Sequence, residues 1–222
     1  MTAKRYRLGA GMAALTVLTF MLLSRVGATR LTTQSPAPAV PSIPDPIAVS
    51  ADSSSTAFLA LDFVTTICSP TRTVSCPGTL PAVSSGLAAA HAANVPVIYS
   101  TFAGATIVPD VQPAANDTVV ISVNADKFFN TNLDDVLKQG GITNVVMVGT
   151  FSNGAVLYTA FEAAARGYTV VVAEDGLSAP TDFATFVTEW QLLNGPGTAN
   201  LQNTPLQPKA VTLSRTDLIT YK

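Results

Sequence analysis

The stretch Gly149-Thr150-Phe151-Ser152-Asn153-Gly154-Ala155-Val156-Leu157-Tyr158-Thr159-Ala160 decides how this chain folds. Before it, NVVMVG at 144–149 is a short Val-rich apolar run, the composition of a strand. After it, residues 154–166 are rich in Ala, end in Arg166 and are stopped by Gly167, which is a helix with its C-terminal signal. A strand therefore passes through a tight turn directly into a helix.

The same alternation continues outward. Strands are predicted over 57–62 (AFLALD), 96–101 (PVIYST), 118–123 (TVVISV), 168–173 (YTVVVA) and 209–214 (KAVTLS). Helices are predicted over 80–94, 132–140 and 181–193. Val- and Ile-rich runs separated by helices are strands buried on both faces. They predict an α/β fold: three layers around a doubly wound, mainly parallel sheet. Such sheets bind ligands at the carboxyl ends of their strands. Asp62, Ser122 and the 149–155 turn fall at those ends.

Composition narrows the function classes. The net charge is −2, with no run of like charges, so nothing advertises a nucleic-acid-binding face. Charged residues make up 12% of the chain, against about 25% in an average soluble domain. A surface so poor in charge is either covered by a partner or membrane, or belongs to a small exported domain rich in Ala, Val and Thr.

The N-terminus carries Lys4, Arg5 and Arg7, then LGAGMAALTVLTFMLL over 8–23. A basic flank before an apolar run is the layout of a secretory signal or a signal-anchor. As a helix it spans roughly 25 Å, slightly less than the hydrocarbon core of about 30 Å. Residues 1–30 are read as a retained membrane helix that leaves the rest of the chain periplasmic or otherwise extracytoplasmic. Secretion after cleavage near Ala28 is the alternative. Residues 31–56 hold five prolines over 33–56 and read as a semi-rigid tether of polyproline character. Membrane lipid and membrane-protein subunits are the partners expected along 8–56, with a homo-oligomer also open. Outside the cytoplasm Cys68 and Cys76 can close a short disulfide loop; two free thiols in a mobile loop are the other reading. One histidine, His91, cannot complete a metal site with them.

Several segments, in order, resemble the isochorismatase-like cysteine hydrolases. Ala57-Phe58-Leu59-Ala60-Leu61-Asp62-Phe63 looks like the family's first strand, closed by its aspartate, and Asn94-Val95-Pro96-Val97-Ile98-Tyr99 like the entry to its second. Phe128-Phe129-Asn130-Thr131-Asn132-Leu133 is similar to its "F-x-x-T-x-L". Gly140-Gly141-Ile142, Thr159-Ala160-Phe161-Glu162-Ala163, Gly167-Tyr168-Thr169-Val170 and Asp175 match further pieces. The resemblance covers roughly residues 57–215.

It implies a carboxylate, a lysine and a nucleophilic cysteine, with the oxyanion on backbone N–H groups at the start of the helix. Carried over, the carboxylate is Asp62, the lysine position falls on Ser122 and the cysteine position on Ala155. The chain then lacks both the lysine and the thiol. Lys127, five residues past Ser122, reaches Asp62 only through a shifted loop. Ser122 and Ser152 have no base beside them as nucleophiles. Asp62 is left either as a lone carboxylate in a half-buried pocket or as the cap of a turn. A non-proline cis peptide typical of the family is expected within Thr150-Phe151-Ser152. The family's metal-binding members use an Asp-x-His cluster that is absent here, so no metal or cofactor is expected.

These readings imply a pseudoenzyme with no catalytic residues, acting as a structural accessory subunit of a membrane assembly. The alternatives are a small-molecule binding domain using Asp62, Ser122, Phe151 and Ala155, or a divergent exported hydrolase of amides or carbamoyl compounds.

Overall fold

The computed structural model describes residues 39–222. The predicted membrane helix, residues 1–30, and the tether up to residue 38 lie outside the described residues. Among the described residues no helix is long and apolar enough to cross a membrane.

Twelve elements build the fold. In chain order they are β1 (Val49–Ala51), β2 (Thr56–Leu61), α1 (Cys76–Ala92), β3 (Val97–Thr101), β4 (Thr118–Ile121), α2 (Leu133–Gln139), β5 (Asn144–Thr150), α3 (Leu157–Arg166), β6 (Thr169–Ser178), α4 (Asp182–Asn194), β7 (Val211–Ser214) and β8 (Ile219–Tyr221). Six of the strands form one parallel sheet in the order β4-β3-β2-β5-β6-β7. The chain builds outward from β2 to β4, then returns to the other side of β2 with β5. The strand order therefore reverses between β2 and β5, and in sheets of this kind the ligand crevice lies outside the carboxyl ends of the strands at that point.

The all-apolar strands seen in the sequence are buried on both faces. Phe58, Ala60, Val146, Val148 and Val171 pack with α1 through Leu80, Val83 and Leu87. On the opposite face Leu59, Leu61, Val145, Met147, Val170 and Val172 pack with α2, α3 and α4 through Leu137, Ala160, Ala163, Leu192 and Leu193. Three layers result, as predicted.

The folded unit begins earlier than the sequence pattern indicates. Residues 40–56, read as tether, belong to it. Val49–Ala51 pairs in parallel with Ile219–Tyr221 at the C-terminus, and the Ile47 amide donates to the Leu213 carbonyl. Neither three-residue strand is long enough to show a period in sequence; the pairing is a tertiary event.

Two backbone details shape the crevice. At Gly149 in β5 a Cβ would lie 2.8 Å from Leu61 Cβ and 2.8 Å from Val156 Cγ2, so only glycine lets β5, β2 and the following helix meet so closely. In β6 the register against β5 jumps from Val172 to Leu177, and the extra residues carry Glu174 and Asp175 off the ladder. Asp175 then accepts hydrogen bonds from the Thr216 amide (2.9 Å) and hydroxyl (2.7 Å).

Glu174 faces Glu189 of α4. Burial first, and then the charge of Glu174, push the Glu189 carboxyl up to about 7. A carboxyl raised in the folded state binds protons more tightly there than in the unfolded chain. Stability is therefore greatest below the ordinary glutamate range, near pH 4.5, and declines as pH rises towards 7. Urea unfolding at pH 5 and pH 7.5 should show this loss, and Glu189→Gln should flatten it.

Cys68 and Cys76 form a disulfide that joins the connection after β2 to the start of α1. Closing a loop of this length is worth about 2–3 kcal/mol in the chain-entropy picture. The double variant Cys68→Ser/Cys76→Ser should unfold at correspondingly lower urea, and reducing agent should destabilise only the parent chain. The paired reading of the two cysteines holds.

Candidate functional site

Asp62 is the first residue after β2, and it sits in the crevice. Its backbone takes the left-handed conformation at φ 57°, uncommon outside glycine and best tolerated by Asn and Asp. Its amide donates to the Ser100 carbonyl (3.1 Å). Its carboxylate is 7% exposed as part of the residue and fully engaged. Ser100 Oγ donates to Oδ1 at 2.8 Å, and Lys127 Nζ lies 2.6 Å from Oδ2.

This overturns the expectation that the lysine is missing. Ser122 does occupy the position that counting assigns, but its own Oγ accepts from the Asn124 amide (3.2 Å). That bond turns the chain at the end of β4. The loop then delivers Lys127 to the carboxylate. Lys127 is held from several directions: its Nζ donates to the Asn124 carbonyl (2.7 Å), its amide to Thr159 Oγ1 of α3 (3.1 Å), and its carbonyl accepts from Thr131 Oγ1 (2.6 Å). Ser122 is thus a loop-shaping residue, and Lys127 supplies the ammonium. Asp62 is neither a lone carboxylate nor a turn cap, because an ion pair and a serine hydroxyl use both of its oxygens.

At the position where the resemblance expects the nucleophilic thiol, the chain has Ala155. Ala155 lies in a π-helical turn, Ser152–Val156, that leads into α3, and it is buried. Its neighbour Val156 packs against the point where Leu61 meets Gly149, so the turn stands beside the end of β2. The peptide Thr150–Phe151 is cis, as expected. The chain has two cysteines, and both are in the disulfide. Ser152 Oγ lies 3.2 Å from Thr185 Oγ1 and has no base beside it. His91, on the exposed side of α1, pairs with Asp117 at 2.9 Å.

Two features escape the sequence reading. Ser100 is one: the penultimate residue of β3, it stands opposite Leu61 in register, and a polar residue near the carboxyl end of the neighbouring strand was the available signal. The second is a set of buried hydroxyls, those of Thr101, Thr150 and Ser178, with no partner among the described residues. Each lies at the carboxyl end of its strand, β3, β5 or β6. The hydroxyls of Thr56, Thr73 and Tyr99 are without a partner as well, and the three at the carboxyl strand ends are polar groups placed where a ligand of such a sheet would meet them. Among the described residues no group of His, Cys, Asp and Glu side chains is arranged to hold a metal ion.

A carboxylate, an ammonium and a hydroxyl around one crevice can orient a carbonyl-bearing molecule.

The sequence profile of the isochorismatase domain matches residues 56–194. A "Secreted isochorismatase effector Isc1" of Verticillium dahliae is 34% identical over 110 residues, covering 44% of this chain and 58% of that protein. A "Ureidoacrylate amidohydrolase RutB" of Agrobacterium fabrum is 39% identical over 69 residues, 31% of this chain and 30% of that one. The matches thus span less than two thirds of these relatives. Among solved structures, an isochorismatase family protein from Desulfovibrio vulgaris superposes with a TM-score of 0.64 at 21% identity, over 73% of this chain and 95% of that one. An N-carbamoylsarcosine amidase from Thermoplasma acidophilum gives 0.61 at 21% identity, over 73% and 97%. At that identity the likeness speaks to fold alone.

Proposed function

This chain belongs to the isochorismatase family, and from that premise we propose that it is an extracytoplasmic member that binds a small carbonyl-bearing molecule without hydrolysing it through a thiol. The observation that carries this reading is the buried trio of Asp62, Lys127 and Ser100, taken with the alanine at 155, where the resemblance places the thiol. A buried ion pair is rarely the most stable way to fill a core, since apolar side chains of similar volume often do as well or better. Its retention at the carboxyl end of the sheet, where β3, β5 and β6 also end in unpartnered hydroxyls, speaks for a ligand. The disulfide supports a location outside the reducing cytoplasm. The secreted fungal relative points the same way, and the ureidoacrylate amidohydrolases point to amide and ureido compounds as the ligand class.

The test is to incubate the full chain with N-carbamoyl amino acids and simple amides. Saturation-transfer NMR reads binding, and released ammonia reads turnover. Binding that disappears in Asp62→Ala, with no ammonia, is expected. Ammonia release that depends on Asp62 would overturn the non-catalytic part, and absence of binding by every compound would overturn the rest.

An accessory subunit held at a membrane by residues 8–56 is the second reading. It is favoured by a groove of about 490 Å³ between α3 and α4, lined by Leu157, Tyr158, Phe161, Trp190 and Pro196. Exposed aromatic side chains in such numbers suit a protein partner. Gentle extraction from native membrane decides it: recovery as a free monomer counts against the accessory role.

A further inference from the structure

The rim of the crevice is built from three connections. Residues 63–75 follow β2, residues 102–108 follow β3, and residues 151–156 follow β5. The first two are stitched together: Val64 bridges Ile107, the Thr65 amide donates to the Thr106 carbonyl (2.8 Å) and the Val108 amide to the Phe63 carbonyl (2.9 Å). The disulfide then ties the far end of the first connection to α1. Across these three segments the sequence holds a single charged side chain, Arg72. Its guanidinium lies 5.7 Å from the centre of the Phe151 ring, in the third segment. Phe151 in turn begins the turn that carries Ala155, accepting on its carbonyl from the Gly154 amide (3.0 Å).

Beneath the rim, Asp62 and Lys127 cancel each other. Nearby acids are engaged elsewhere. Asp126 accepts from the Phe128 amide, and Asp175 is bound by Thr216 with Arg215 at 3.8 Å. The one charged side chain that the three rim connections contribute is therefore a cation, a planar group over an aromatic ring on a loop closed by a covalent bond. A guanidinium held in that way presents its remaining N–H groups as a fork that fits a carboxylate.

We propose that Arg72 is the specificity residue of the crevice and that the molecule bound there carries a carboxylate beside its carbonyl or amide. This rests on the reading that the crevice binds a small molecule.

The test uses matched probes that differ only in charge: benzoate with benzamide, and succinate with succinamide, titrated against the full chain at pH 7. The parent chain should bind the carboxylate of a pair about three- to tenfold more tightly than the amide, the range for a partly solvated charge-assisted contact. Arg72→Gln should remove that preference and leave amide binding unchanged. Arg72→Lys should retain part of it, since charge remains but the planar fork is lost. Arg72 is exposed, so neither variant threatens the fold. Cys68→Ser/Cys76→Ser should also blunt the preference by freeing the loop. Amides bound as tightly as carboxylates, or a preference unmoved in Arg72→Gln, overturn the role of Arg72 while leaving ligand binding intact. No binding by either member of any pair overturns both.

Discussion

Lys127→Met should cost the fold about 3–5 kcal/mol, the range for removing one partner of a buried ion pair. Lys127 is 1% exposed and Asp62 7%, so water cannot easily replace the ammonium. The lost amine would leave the carboxylate with only the Ser100 hydroxyl at 2.8 Å. Most of the penalty is that stranded charge, which the design of the double variant exposes. Asp62→Asn keeps a residue type that tolerates φ 57° and can still accept from Ser100, yet it removes the charge. Asp62→Asn/Lys127→Met should therefore be more stable than Lys127→Met alone, and the two single costs should not add. Ser122→Ala, by contrast, should cost only about 1 kcal/mol, the worth of one hydrogen bond within a loop. Urea midpoints for the four chains measure all of this. Additive costs, or a large loss at Ser122, would show that the pair is not the element that organises the crevice.

The contrast between Lys127 and Ser122 also shows where sequence reading reaches its limit. The sheet was legible because its strands are buried on both faces, so composition alone marks them; the runs at 57–62, 96–101 and 144–149 became β2, β3 and β5 within two residues. The site's backbone was legible for the same reason: Asp62 and the Ala155 turn end strands, and strand ends in such sheets face the crevice. The lysine was not, because counting back from Phe128 assumes a loop of standard path. Residues 122–128 are irregular, and the Ser122–Asn124 hydrogen bond changes which side chain the loop delivers. A long side chain on a loop is positioned by tertiary contacts, here with Thr159 and Asn124, that no local pattern encodes. The strand Val49–Ala51 was hidden by the prolines just before it and by its brevity, and its partner is near the opposite end of the chain.

If Asp62 and Lys127 are the surviving part of a reactive site, a thiol returned to residue 155 should be activated at once. Ala155→Cys places a sulfur in the turn leading into α3, whose Val156 packs at the junction of Gly149 with Leu61, the residue before Asp62. A nearby ammonium and the amide groups at a helix start both favour a thiolate, lowering a thiol that otherwise titrates near 8.5. At pH 7 the variant should therefore be alkylated by iodoacetamide about tenfold faster than Ala155→Cys/Lys127→Met, by the larger thiolate fraction. The readout is clean because Cys68 and Cys76 are joined, which leaves the introduced sulfur as the one free thiol. Mass spectrometry over time gives the rate, and its dependence on pH gives the titration of the thiol directly. The rate should rise through a midpoint below 8.5 in the single variant and through a higher one when Lys127 is gone. Equal rates in the two chains would mean that the ion pair is not directed at the turn, and the crevice would lose the geometry on which its reading as a ligand site depends.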